Sequence, residues 1–383
     1  MDFYSNRAPN NPPSHERRER ISLLGEYWKA RSILGDDQYL TPAQLKLKSS
    51  GVTLAKRGRA GISQQHLRAM HEARSGWNRD EEPRYARDPS HMQERGEETI
   101  LAEYMLLEGS DMDGGAFAGL RGPSASYDWF AGRAKSYMPH LAEDVLNRTD
   151  GLIMVIDERN EEIVHPLAVD VTTALDGKKG YRQKVRSDFE RLTHSRRVGS
   201  EAYWYDVYAD EPGQSFLEPK EGLIQTSLVT VYIPTGVCTL FNNPKTSDAD
   251  ADMLMASLGA FVRLQIDAEL QRQLFDLSPR MKMFCEMALS SGRTCTDLRQ
   301  ELRSDLEELA QLLDDYAAEL RPHDQAVRRI CHILFAVWGA EADIERKNRA
   351  KKRPQIWPEN FLNAIPPELS EWQQMIPTIF LPK

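Results

Sequence analysis

The stretch Thr149–Thr173, TDGLIMVIDERNEEIVHPLAVDVTT, decides how the rest of the chain is read. Two apolar runs flank the polar turn DERN, with Asp150 at the head of the first and Asp170 inside the second. Runs rich in Ile and Val, of strand length and separated by a tight turn, predict a β-hairpin. Asp170 interrupts the apolar residues of LAVDV, where an uncompensated charge is costly to bury. A carboxylate there needs a cation, a hydrogen-bond network or solvent at a cleft. In an antiparallel hairpin the start of one strand lies beside the end of the other, so Asp150 and Asp170 are expected to approach each other.

Outward from the hairpin, the elements alternate. EETILAEYMLLE (97–108) has an apolar helical pattern, and YDWFAGRAKSYMPHLAEDVLNR (127–148) predicts a helix ending near Asn147. GYRQKVRSDFERLTHSRR (180–197) predicts an amphipathic helix, and LIQTSLVTVYIP and VCTLF predict two further β-rich runs. After these the chain reads as helical. Ser247 or Asp248 is placed to cap a long helix. Leu302, Leu306, Leu309 and Leu313 recur at threes and fours on another, and Pro322 separates it from a third carrying Val327, Ile330, Leu334 and Trp338. Those last two predict an αα-hairpin, burying its stripe internally or against a second copy of the chain.

The expected organisation is a basic, partly disordered helical extension over 1–95, an α/β core over 96–245 and a helical region over 246–383. The formal charge is −9, but residues 1–95 are net basic, with clusters HERRER and LAKRGRAG; KNRAKKRP follows the last helical pattern. Such clusters meet phosphates or form a solvated face. No apolar run approaches the ~20 residues needed to span a bilayer, and the N-terminus lacks the apolar segment of a secretory signal. The expectation is a cytoplasmic protein with no membrane contact.

The four cysteines and nine histidines are scattered and form no CxxC pair or helical His pair, so no structural zinc site is expected. The glycine-rich segment SDMDGGAFAGLRGPSAS has neither a GxGxxG nor a GKS pattern. His165 and His194 are isolated histidines, read as structural, and EAYWYDVYAD is an aromatic-acidic stretch suited to packing or base stacking.

Glu143, Thr149-Asp150 and Asp170-Val171-Thr172, followed by a helix and a strand, resemble the PD-(D/E)xK nuclease superfamily, also called the restriction-endonuclease-like fold. The resemblance covers roughly residues 130–245 and lies more in element order than in sequence. It implies a mixed central sheet flanked by helices and hydrolysis of DNA or RNA phosphodiesters. Asp150 and Asp170 match the two acidic positions that bind Mg²⁺ or Mn²⁺, and Glu143 matches the helical glutamate of many members. Hard divalent ions favour such oxygen ligands and activate water at phosphoryl groups. Thr149 replaces the motif proline and Thr172 stands in the place of the motif lysine. A threonine hydroxyl supplies no charge, so a lysine downstream, Lys184 in preference to Lys179, is expected to orient the water, with Thr172 hydrogen-bonding it. The competing expectation is a non-catalytic assembly or regulatory protein that uses the C-terminal αα-hairpin for oligomerisation or partner binding.

Overall fold

The computed structural model describes residues 52–54, 97–110, 127–139, 149–157, 164–174, 184, 201–211, 214–223, 227–243, 246–279, 283 and 295–350. Twelve elements of regular α or β structure lie among them. They are β1 (Val52–Leu54), α1 (Glu97–Gly109), β2 (Ala134–Pro139), β3 (Gly151–Ile156), β4 (Val164–Thr172), β5 (Glu201–Glu211) and β6 (Gln214–Leu223), then β7 (Ser227–Tyr232), α2 (Thr235–Asn242), α3 (Asp248–Leu277), α4 (Cys295–Asp315) and α5 (Pro322–Ala350). The strands order as β1-β6-β5-β2-β3-β4-β7.

At the centre is a mixed four-stranded sheet. β2 is antiparallel to β3, β3 to β4, and β7 returns parallel to β4 after a crossover. The β3–β4 hairpin has the expected bounds, with Gly151 opposite Val169 and Ile156 opposite Val164. Alternation then assigns the strands' two faces. Ile153, Val155, Leu167, Val169, Val171, Val229 and Val231 share one core with residues of α1, α3 and α5. Leu152, Met154, Ala168 and Asp170 belong to the other face and are buried as well. A sheet buried on both sides explains why these strands read as continuous apolar runs.

Two expectations are corrected. Residues 134–139 form a strand, not part of a helix. The chain before it turns at Asp128, Ala131 and Gly132, all with positive φ, and Asp128 accepts a hydrogen bond from Gly132 N at 2.8 Å. Trp129 and Phe130 sit inside that turn and are fully buried, which gave the segment its helix-like apolar signal. The indole is clamped between α1 and α3: a methyl at Gly109 or Gly259 would overlap it, and its Nε1 donates to Met255 O at 2.9 Å. The second correction is VCTLF, which lies in helix α2. Val237, Cys238 and Phe241 are buried at helical spacing, so packing overrides the β-propensity of its Val and Thr.

α3 begins as expected, with the Ser247 side chain accepting from Asp250 N. Its middle protects the sheet edge. Gln265 accepts from Tyr232 N and donates to Tyr232 O, Glu269 accepts from Thr230 N, and Gln273 donates to Leu228 O. Four residues of helix rise about 6 Å and two residues of strand about 6.6 Å, so an i, i+4 row of side chains matches alternate backbone groups of β7. This closes an edge that would otherwise recruit another strand. The buried guanidinium of Arg263, on the same helix, donates to Trp129 O at 2.6 Å; burial pushes its pKa down to about 10, against the pull of Glu341 and Asp128.

α4 and α5 form the αα-hairpin, with Leu302, Leu306, Val327, Ile330, Leu334 and Trp338 buried. Its stripe packs within the molecule, because these residues belong to the same core as the sheet. No helix among the described residues is long and apolar enough to cross a membrane.

Candidate functional site

Polar side chains gather at both ends of the β3–β4 hairpin. At one end stand Asp150 and Asp170. Continuing the register one step beyond Gly151–Val169 sets them directly opposite each other, where opposed Cβ atoms lie ~5 Å apart. Asp150 is tied across the hairpin twice. Its N–H donates to Val169 O at 2.8 Å, and its Oδ2 accepts from Val171 N at 2.8 Å. Both carboxylates are buried, at 5% and 1% exposure. Two buried carboxylates this close need positive charge, and Lys184 supplies it. Its Nζ donates to Asp170 Oδ1 and contacts Val171 O at 3.3 Å. Thr172 has a different set of contacts: its hydroxyl lies 3.3 Å from both the N and the O of Ala174, where the strand ends. Glu143, Lys178, Lys179 and His194 lie outside the described residues, as do the cluster HERRER and the basic residues of LAKRGRAG.

At the other end, Asp157 follows β3, His165 lies near the start of β4, and His332 comes from α5. His165 Nε2 and His332 Nδ1 both face the same oxygen, Asp157 Oδ2, at 2.8 and 2.9 Å. The two imidazoles stack with centroids 4.5 Å apart and planes 3° from parallel. His332 Nε2 meets Asp314 Oδ1 at 3.0 Å, and Arg328 Nε meets the same oxygen at 2.6 Å. Burial holds the His165 ring below its ordinary value; the hydrogen bond to Asp157 opposes the shift, and His332 adds to it. At Asp314 partial burial raises the pKa, but the hydrogen bonds from Arg328 and His332 outweigh it and leave the carboxyl below the usual range.

Asp157, His165 and His332 are all buried, and each offers one ligand atom within 4.8 Å of the others, so the cluster is capable of coordinating a metal ion. This corrects the expectation that scattered histidines leave no such site. Dispersal along the chain says nothing about residues that a fold brings together. The signal was half present: Asp157 and His165 flank the hairpin turn on one face, but His332 enters from a helix far along the chain.

The chain matches no protein-family model, no curated protein and no solved structure. The site is therefore described by its own chemistry.

Proposed function

We propose that the Asp150–Asp170 end is the reacting centre of a metal-dependent nuclease with a restriction-endonuclease-like core. The observation that carries this reading is the placement of Lys184 Nζ on Asp170, beside an aspartate tied to the same strand end. The order β2-β3-β4-β7, with its parallel last strand, supports it as well. The donor set fits Mg²⁺ or Mn²⁺, since Asp150 and Asp170 present oxygens from adjacent strands. When bound, such an ion acidifies water and neutralises phosphoryl charge. Asp150 and Asp170 would hold it, and the cross-strand hydrogen bonds of Asp150 fix one of the two carboxylates before any substrate arrives. The Lys184 ammonium supplies the positive charge missing at Thr172 and orients the attacking water. Thr172 fixes the strand end behind them. The substrate class is DNA or RNA, its phosphates met by the basic N-terminal clusters and by KNRAKKRP, which begins at Lys347 in the last turn of α5.

The test is cleavage of mixed DNA and RNA substrates with Mg²⁺, Mn²⁺ or EDTA, comparing wild type with Asp170→Asn. Metal-dependent cutting lost in the folded variant supports the reading; a folded wild type that cuts nothing with either metal sinks it.

A second reading, assembly through the C-terminal helices, draws on Leu312 and Tyr316. Leu312 lies on α4 and Tyr316 directly after its end; both are large apolar side chains, and more than half of each is exposed. Sedimentation of wild type beside Leu312→Glu, Tyr316→Glu decides it: a shift from oligomer to monomer supports assembly, and a monomeric wild type removes it.

A further inference from the structure

We propose that Asp157, His165 and His332 form a second metal centre, which takes a divalent transition ion of the Zn²⁺ class and ties α5 to the β3–β4 hairpin. The inference is independent of the reading given to the acidic end. It begins with a convergence of donors. One nitrogen from each stacked ring lies beside one oxygen of Asp157, at 2.8 and 2.9 Å, and the three atoms are all within 4.8 Å of one another. In a tetrahedral zinc site neighbouring ligand atoms lie about 3.3 Å apart, so each nitrogen needs to move about half an ångström from the oxygen, and the stacked rings need to tilt until both lone pairs meet at one ion.

The second observation is the far nitrogen of His332. Its Nε2 meets Asp314 Oδ1 at 3.0 Å, and Arg328 Nε holds that same oxygen at 2.6 Å. A carboxylate on one ring nitrogen fixes the tautomer, leaving the lone pair on the other, and this arrangement recurs behind metal-bound histidines. Here the free lone pair would be on Nδ1, facing Asp157 Oδ2. Two lone pairs repel across 2.9 Å, so a positive centre belongs between them. The candidates are a proton on His332 Nδ1 or one metal ion shared by all three groups. A neutral His165 donates its own Nε2 proton to Asp157, whereas a single ion would serve both neutral rings and the carboxylate at once.

The donor set selects the ion. Two imidazoles and one carboxylate suit Zn²⁺, Fe²⁺ or Co²⁺, while Mg²⁺ prefers six oxygens. The centre would join residues from β3, β4 and α5, with Asp314 of α4 behind them. Its consequence is therefore mechanical: loading secures the C-terminal helical hairpin against the sheet.

The experiment uses the full chain stripped of metal by chelation and titrated with Co²⁺ alone, then with Zn²⁺ in competition. The expected result is about one Co²⁺ per chain, with visible absorption bands that Zn²⁺ abolishes and a thermal midpoint raised by about 5 °C or more. The bands persist in the Asp150→Asn, Asp170→Asn double variant and vanish in His165→Gln and His332→Gln. If the histidine variants do not fold, proton NMR of the Co²⁺-loaded wild type decides instead, because ring N–H protons of ligating histidines shift far outside the ordinary range. Folded wild type that binds neither ion would overturn the proposal. So would bands that survive in folded histidine variants or disappear in the aspartate variant, and so would a loaded wild type without shifted histidine signals.

Discussion

The two ends of the β3–β4 hairpin use the same pair of strands for different chemistry. At the Asp150 end, two carboxylates face each other and one lysine offsets them, all drawn from residues 150–184. At the Asp157 end, one carboxylate gathers two stacked histidines, and the group is completed by α5 and α4. Alternation sends Asp170 and His165 to opposite faces of the sheet. Along β3 the two ends lie about 20 Å apart. The first end is a local construction on a strand pair, rich in oxygen and short of positive charge. The second is a tertiary junction, in which the polar groups meet only because a distant helix docks. Substitutions at the first should change chemistry, and substitutions at the second should change how firmly the helices are held.

The largest expected effect tests the first half of that contrast. Lys184→Met should lower Mg²⁺-dependent cleavage by about 10²–10⁴-fold, the usual contribution of a residue that orients or deprotonates the nucleophile. Steady-state cleavage read beside a thermal melt distinguishes a lost centre from a lost fold. At the other end, His332→Ala removes the group between Asp157 and Asp314 and leaves Asp157 to His165 and Asp314 to Arg328. It should cost about 2–4 kcal/mol of stability, from lost buried volume and lost hydrogen bonds, measured by urea unfolding. A loss below ~1 kcal/mol would mean the junction holds little.

How much of this was legible follows from the same contrast. The hairpin and the opposition of Asp150 and Asp170 were readable, because strand register is a local property and a two-residue period carries it. Lys184 was readable as a candidate, since the gap at Thr172 asked for a nearby cation. β2 was not readable, because Trp129 and Phe130 belong to a turn whose geometry depends on Asp128 and Gly132 while their apolar signal mimics a helix. α2 was missed because short β-branched sequence yields to packing against its neighbours. His332 was invisible for a different reason. It sits in an amphipathic helix whose pattern says which residues are buried, not what they meet. Gln265, Glu269 and Gln273 share that limit: polar residues inside a long helix look like a solvated face, yet they serve the edge of β7.

That polar row provides a smaller test, because β7 lies beside β4 and sets Thr230 in register with Asp170. Gln265→Leu leaves the Tyr232 backbone N–H and C=O without that side chain, and should cost about 1–3 kcal/mol in urea unfolding. Its cleavage rate then reports how far the acidic end depends on the strand next to it. The smallest expected effect is a pH dependence at the histidine end. Because the folded state holds His165 below 6.5, its contribution to stability is complete above that value. As pH falls below 6.5 the unfolded chain takes the proton first, so this contribution is lost progressively toward the folded value. Asp157 and Arg328 face the ring together with His332, and Asp314 titrates lower. Urea unfolding in EDTA between about pH 7.5 and about pH 5 should therefore show stability falling more steeply for wild type than for His165→Gln. Parallel pH profiles would contradict it.

The most direct test of the division of labour is Mg²⁺-dependent cleavage by the Asp150→Asn, Asp170→Asn double variant beside wild type, with the thermal midpoints of both recorded. The expected result is metal-dependent cutting by wild type, none above background by the variant, and two folded proteins. A folded variant that still cuts at the wild-type rate, or a folded wild type that never cuts, would contradict the assignment of chemistry to this end of the hairpin.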